Sequence, residues 1–293
     1  MSRQQSTAFT LIELIALILV VAALIVTLES AVARTNPTGK AIQCLNNLRQ
    51  FTAAWTMYSA DSSDKVANNY GISEMADAIS ANRFDNWVNN VMTWGAGTSV
   101  YDLGNTNVLW LTNGVLGKYL ANSPHVFKCP ADTFLSKAQV AAGFKQRLRS
   151  TSMNSVFGRF SSASDSTSSG LNWANPQYVQ YLKQASVPKP AKTWLMIDEH
   201  PDSINDGYFV NGASGSSWGD IPSSLHNGGC GVSFVDGHSE IKKWRSVTSI
   251  YPVGFAYPNV LRPFDTMGRA DFSWYLEHTG YVIATTGQPQ FNY

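Results

Sequence analysis

Residues 9–28 read FTLIELIALILVVAALIVTL. The run is about 20 residues long, the length an α-helix needs to cross the hydrocarbon core of a bilayer. Leu, Ile, Val and Ala occupy every face of such a helix, so it does not read as an amphipathic element lying on a protein surface. One ionisable residue, Glu13, interrupts it. A carboxylate near a membrane centre costs roughly 2.5–3.5 kcal/mol on insertion scales, and less near the ends of a span. An acidic residue retained there marks a functional position by default.

A secretory signal peptide would use Arg3 as its basic segment and the Ala31-Val32-Ala33 triplet as its cleavage site. Its apolar core, however, runs for only about 7–15 residues, and an acid near its start has no role. A plain membrane anchor also leaves Glu13 unexplained. Charge alone does not orient the segment, because Arg3 lies on one side and Arg34, Lys40 and Arg49 on the other.

The stretch Ala8-Phe9-Thr10-Leu11-Ile12-Glu13-Leu14 resembles the type IV prepilin cleavage motif. In that family a short polar leader ends in a small residue, the phenylalanine after it becomes an N-methylated N-terminus, and a glutamate stands at the fifth mature position. Here the small residue is Ala8, where the family usually has glycine. The resemblance implies a leader at 1–8, a transmembrane and assembly helix at 9–34, and an exported globular domain at 35–293. It implies cleavage between Ala8 and Phe9 by a prepilin peptidase and methyltransferase. It also implies an inner-membrane location with a periplasmic domain, and assembly with other pilin-like subunits on a secretion platform. The chemistry is coherent. The Phe9 amine freed by cleavage has a reference pKa of about 7.7–8.0, and Glu13 of a neighbouring subunit can neutralise it where both charges are buried.

Beyond the anchor, Asn36-Pro37 can start a second helix over about 38–60. Ile42, Leu45, Leu48, Phe51, Trp55 and Tyr58 recur at spacings of three and four and form one apolar stripe, read as a core face. Residues 61–123 are rich in Asn and Trp and carry no clear period. A helical stretch is expected near 136–146, a Ser-rich loop at 161–170, and strands at 193–197 and 207–210. The sharpest local signal is Asp236-Gly237 between two strand-like runs, which predicts a two-residue type I′ hairpin.

His226, nine residues, then Asp236-Gly237 resembles the H-x9-DG processing-associated element of large prepilin-like proteins, themselves similar to type II secretion pseudopilins. Further segments resemble that family: Cys44 with Asn46-Asn47-Leu48, Cys129-Pro130-Ala131-Asp132, 150–154, 197–200, and Asp271 with Trp274 and Leu276. The fold implied is α+β and pilin-like: a long N-terminal helix packed on a mainly antiparallel C-terminal sheet with large insertions.

Net charge is +1 and charged residues make up 14% of the chain, a balance that does not suggest nucleic-acid binding. Three dispersed cysteines form no CxxC pair and so no zinc ribbon. Outside the cytoplasm one disulfide can form; Cys44 with Cys129 is the candidate pair, leaving Cys230 free, and three reduced thiols are the alternative. Asp198, Asp202 and Asp206 are candidate calcium ligands in an oxygen-rich loop, although a polar surface loop is the simpler reading. A competing function is a membrane-anchored envelope protein whose domain binds a ligand or hydrolyses one with metal held by His226, Asp236 and His238. Turn geometry explains Asp236-Gly237 more simply, and no phosphate loop, nucleophile elbow or HExxH motif is present. The sequence therefore reads as a fibre subunit rather than an enzyme.

Overall fold

The computed structural model describes residue 17, residues 37–161, residue 172, and residues 174–283 and 289–291. The first long element is helix α1, Pro37–Asp61, close to the expected 38–60. Proline suits the first helical turn, because its missing N–H has no intrahelical partner there in any case. The buried face of α1 carries Cys44, Leu48, Phe51, Thr52, Ala54, Trp55 and Ser59. Burying a side chain the size of Leu48 or Phe51 is worth about 1.5–3 kcal/mol. The expected stripe is rotated at its start: Ile42 is 57% exposed, and Cys44 takes the inward position.

The sheet under α1 has the order β3-β1-β2-β4-β5. Its strands are β1 (Thr151–Asn154), β2 (Trp194–Asp198), β3 (Tyr208–Phe209), β4 (Gly229–Phe234) and β5 (Ser239–Lys243). Three junctions are antiparallel and one, β1 with β3, is parallel, so the sheet is mixed. The parallel pair follows from the path. The chain turns back after β2, reverses direction, and lands on the far side of β1, which itself runs against β2.

Alternation along β4 sorts the two faces. Cys230, Val232 and Phe234 point to an aromatic core with Trp194, Phe209, Trp218, Phe272 and Tyr275. Gly231 and Ser233 lie on the opposite face, as period-two geometry requires, and there α1 comes close: Thr52 Oγ1 donates to Ser233 Oγ at 3.0 Å. Small residues on that face let the helix backbone approach. The other face is covered by helix α3, Thr266–Thr279, capped by Asp265, which accepts from the Gly268 N–H at 2.6 Å. A shorter helix, α2 (Ile72–Ser80), lies in the insertion between α1 and β1.

That insertion, the stretch without a sequence period, is held by asparagines. Asn69 donates to the carbonyls of Met153 and Asn154 at 3.2 Å, and its Oδ1 accepts from Trp87 Nε1 at 3.0 Å. Asn86 accepts from the Tyr70 N–H at 3.0 Å. Buried amide side chains do there what a strand ladder does elsewhere: they satisfy backbone groups shut away from water. The helix expected near 136–146 is one turn, Lys137–Ala141, closed by a Ser136–Gln139 capping box.

The β4–β5 turn differs from the expected type I′ hairpin. Gly237 has φ +99°, whereas Asp236 does not take positive φ. Phe234 N–H donates to His238 O at 2.9 Å, and Gly237 N–H donates to Phe234 O at 3.0 Å. The loop therefore spans Val235-Asp236-Gly237, with only the glycine needing the left-handed region. The longer loop spares Asp236 the left-handed region, which a two-residue type I′ turn would require of it and which a non-glycine residue enters at a cost.

The expected transmembrane helix, 9–34, lies outside the described residues except for Leu17, which is helical. Among the described residues no helix is long and apolar enough to cross a membrane.

Candidate functional site

Where α1 crosses the sheet, four side chains from four distant segments meet. Cys44 comes from the buried face of α1. Cys129 follows a one-turn 3-10 helix, Pro124–Phe127, and begins the Cys-Pro turn. Asp198 ends β2, and His226 lies in the turn that enters β4. One potential ligand atom from each falls within 4.8 Å of every other. Cys44 Sγ donates to Asp198 Oδ2 at 2.8 Å, Cys129 Sγ lies 3.2 Å from His226 Nε2, and His226 Nε2 lies 3.7 Å from Asp198 Oδ2. All four residues are 5% exposed or less.

The surroundings hold each group in place. Ser150 Oγ accepts from the Cys129 N–H at 2.6 Å, and the Ala131 N–H points to Cys129 Sγ at 3.4 Å. Asp198 Oδ2 accepts from the Gly231 N–H at 3.2 Å, while Thr151 Oγ1 donates to Oδ1 at 3.4 Å. His226 N–H donates to Gly229 O at 2.9 Å and closes its turn. Lys243 Nζ donates to the backbone carbonyls of His226 and Asn227, which ties β5 to the turn that carries His226. Gly231 is required by space. A Cβ there would sit 2.7 Å from Cys44 Sγ and 2.9 Å from Asp198 Oδ2.

The electrostatics are those of a shared-proton cluster. The hydrogen bond with Cys129, burial and the Asp198 charge push the Cys44 thiol well above its ordinary pKa. The same Cys44 bond pulls Cys129 down; burial and Asp198 oppose this, and His226 reinforces it. Burial alone would lower His226, but its bonds to Asp198 and Cys129 outweigh burial and raise it to about 9. Cys129 is thus the more acidic of the two thiols, beside an imidazole whose affinity for a proton is raised, the polarity of an activated nucleophile. The pair is sealed under α1, which suits ligation or cross-linking rather than attack on a substrate.

The structure brings the candidate disulfide residues Cys44 and Cys129 together, both as free thiols, with Cys230 buried nearby on β4. It adds His226 and Asp198 to them. It does not bring together the three candidate calcium aspartates. Asp198 serves the cluster, Asp202 accepts from the N–H groups of Gly254 and Ala256 at 3.0 and 3.1 Å, and Asp206 accepts from the Tyr208 N–H at 2.9 Å. Nor do His226, Asp236 and His238 converge. Asp236 Oδ1 and His238 Nδ1 sit 2.6 Å apart at the exposed hairpin tip, whereas His226 is at the opposite end of β4. Among the described residues one group of three or more His, Cys, Asp and Glu side chains gathers its ligand atoms: Cys44, Cys129, Asp198 and His226. Ala8, Phe9 and Glu13 lie outside the described residues.

Each member of the cluster falls in a segment that stands out in the sequence. What local patterns do not carry is their meeting, since Cys44 and Asp198 are 154 positions apart and Cys129 and His226 are 97 apart. Gly231 gave no local signal, because only the fold puts α1 against it. No family model, characterised protein or solved structure matches this chain.

Proposed function

We propose that the chain is a structural subunit of a type II secretion pseudopilus or a type IV pilus-like fibre. The observation that carries this reading is the Ala8-Phe9 junction followed by an apolar span whose single ionisable residue is Glu13. The layout of the domain supports it: a 25-residue helix begins at Pro37, shortly after the span, and lies along a sheet. A prepilin peptidase and methyltransferase trims the chain after Ala8 and methylates Phe9. The mature subunit sits in the inner membrane with its domain in the periplasm. It enters a fibre by pairing the Phe9 amine with Glu13 of a neighbour, where an unpartnered charge is costly. The domain presents surfaces for assembly and turns over no substrate.

Mass spectrometry of the protein from its native membrane tests the reading. An N-methylated N-terminus at Phe9 is expected. An N-terminus at Arg34 would mean signal-peptidase cleavage and would remove the fibre assignment. Glu13→Gln should abolish sheared fibres while leader cleavage continues; normal fibre yield would refute the charge-pair mechanism.

A further inference from the structure

We propose that Cys44, Cys129, Asp198 and His226 hold one zinc ion in a closed tetrahedral site that fastens α1 to the sheet. Zinc sits about 2.3 Å from thiolate sulfur and about 2.0–2.2 Å from imidazole nitrogen or carboxylate oxygen. Tetrahedral ligand atoms at those radii stand roughly 3.3–3.8 Å apart. The cluster is already near that size, with separations of 2.8, 3.2 and 3.7 Å and none above 4.8 Å. Adjustments of a few tenths of an ångström to about one ångström in these separations bring the four atoms to tetrahedral spacing.

The donor set selects the metal. Two thiolates with an imidazole favour zinc over calcium or magnesium, which take oxygen ligands. Four protein ligands, all buried, leave no position for water or substrate, so the site is structural rather than catalytic. Metal entry displaces two protons to solvent: that of the Cys44 thiol and the one shared by Cys129 and His226. The loaded site then carries one net negative charge, from two thiolates, one carboxylate and the dication. The Lys243 ammonium, bound to the carbonyls of His226 and Asn227, offsets it.

The outer shell is also present. Ligand sulfurs and carboxylates are held by hydrogen bonds that fix their direction; here the Ala131 N–H points to Cys129 Sγ, and the Gly231 N–H and Thr151 hydroxyl point to Asp198. A Cys44–Cys129 disulfide would use only two of the four groups. It would leave the Asp198 carboxylate and the His226 imidazole facing an uncharged bond, buried and deprived of the thiol partners they hold.

The test uses the full chain, purified in detergent without reductant or chelator. Elemental analysis should find one zinc per chain. Replacement by cobalt(II) should give the intense visible bands of tetrahedral cobalt together with a thiolate charge-transfer band. Cys44→Ser and His226→Ala should each weaken cobalt binding by more than about tenfold, while Cys230→Ala, which removes the thiol that is no ligand, should keep it. The wild-type cobalt spectrum needs no variant to fold, so it decides the matter alone. A chain with free thiols that takes neither zinc nor cobalt would overturn the site, as would a Cys44–Cys129 disulfide in protein from its native membrane. Neither result depends on where the leader is cut, so this site and the fibre reading stand or fall separately.

Discussion

Asp198 and Glu199 are neighbours in the chain, yet they enter two buried polar centres built on different logic. Asp198 turns toward α1 and joins two thiols and an imidazole, a set whose groups share protons among themselves. Glu199 takes the other side, where its oxygens accept from Ser152 and Ser203 at 2.6 and 2.9 Å. The cation of that second centre is Arg149, buried and bonded only to neutral atoms: Asn90 Oδ1, Ser152 Oγ, and the carbonyls of Asn90, Thr151, Asn205 and Asp206. Burial raises Glu199 to about 8 and Asp206 to about 6 against the pull of Arg149. The first centre is small, closed and suited to one ion. The second spreads a single charge over many dipoles, which fixes a network of loops but offers no ligand set. A buried polar group does not by itself mark a site; the softness and convergence of its donors do.

The sharpest break in that contrast comes from Arg149→Met. It strands the carbonyls of Thr151 and Asp206 and removes the cation near Glu199 and Asp206, so the loss of stability should be about 4 kcal/mol. Urea unfolding of the detergent-solubilised chain measures it; a loss under about 1 kcal/mol would mean that the network is dispensable. Gly231→Val acts on the other centre alone. Its side chain meets Cys44, Leu48 and Asp198, and overpacking of this kind costs about 3 kcal/mol. An unchanged unfolding midpoint would show that α1 does not sit where the structure puts it.

Asp206→Asn should have the opposite sign. The folded carboxyl titrates near 6 rather than near 3.8, so ionising it costs the native state more than the unfolded chain. Its contribution is fully present below pH 4 and declines as pH rises toward 6. The amide should therefore gain about 3 kcal/mol at pH 8 and less than about 1 kcal/mol at pH 4. Arg149, Glu199 and Asp220 face the same region and titrate or hold charge in both proteins. An equal effect at both pH values would contradict the burial origin. Smallest of all is His238→Ala. The Asp236–His238 pair is 2.6 Å long but exposed, and such pairs contribute about 0–1 kcal/mol. A larger loss by thermal unfolding would make the hairpin tip more than a turn.

Helix α1, strands β2 and β3, and the β4–β5 hairpin were legible because each is written in nearest neighbours: a period of three to four, a short apolar run, a glycine in a turn. The insertion before β1 was not, because its order comes from Asn69 and Asn86 bonding across the fold, and amide side chains leave no period. The rotation of α1 that exposes Ile42 was missed for a related reason. The face a helix buries depends on what lies beneath it, and at Gly231 and Ser233 the sheet offers hollows that suit Cys44 and Thr52 better than isoleucine. In the site, the motifs around Cys44, Cys129, Asp198 and His226 were visible one by one. Their convergence depends on tertiary packing and on one glycine.

The sheet ends differently at its two sides. On one margin β3 is only two residues long, and on the other β5 exposes Glu240 and Lys243 to solvent. Short strands and charged margins are how a protein discourages a stranger's backbone from adding to its ladder. In the fibre proposed above, where many copies would meet at high local concentration, such edges would be an advantage. Neighbouring heads of that fibre would crowd together without zipping into one continuous β-structure, and its ordered contacts would be left to surfaces that recognise a partner by its side chains.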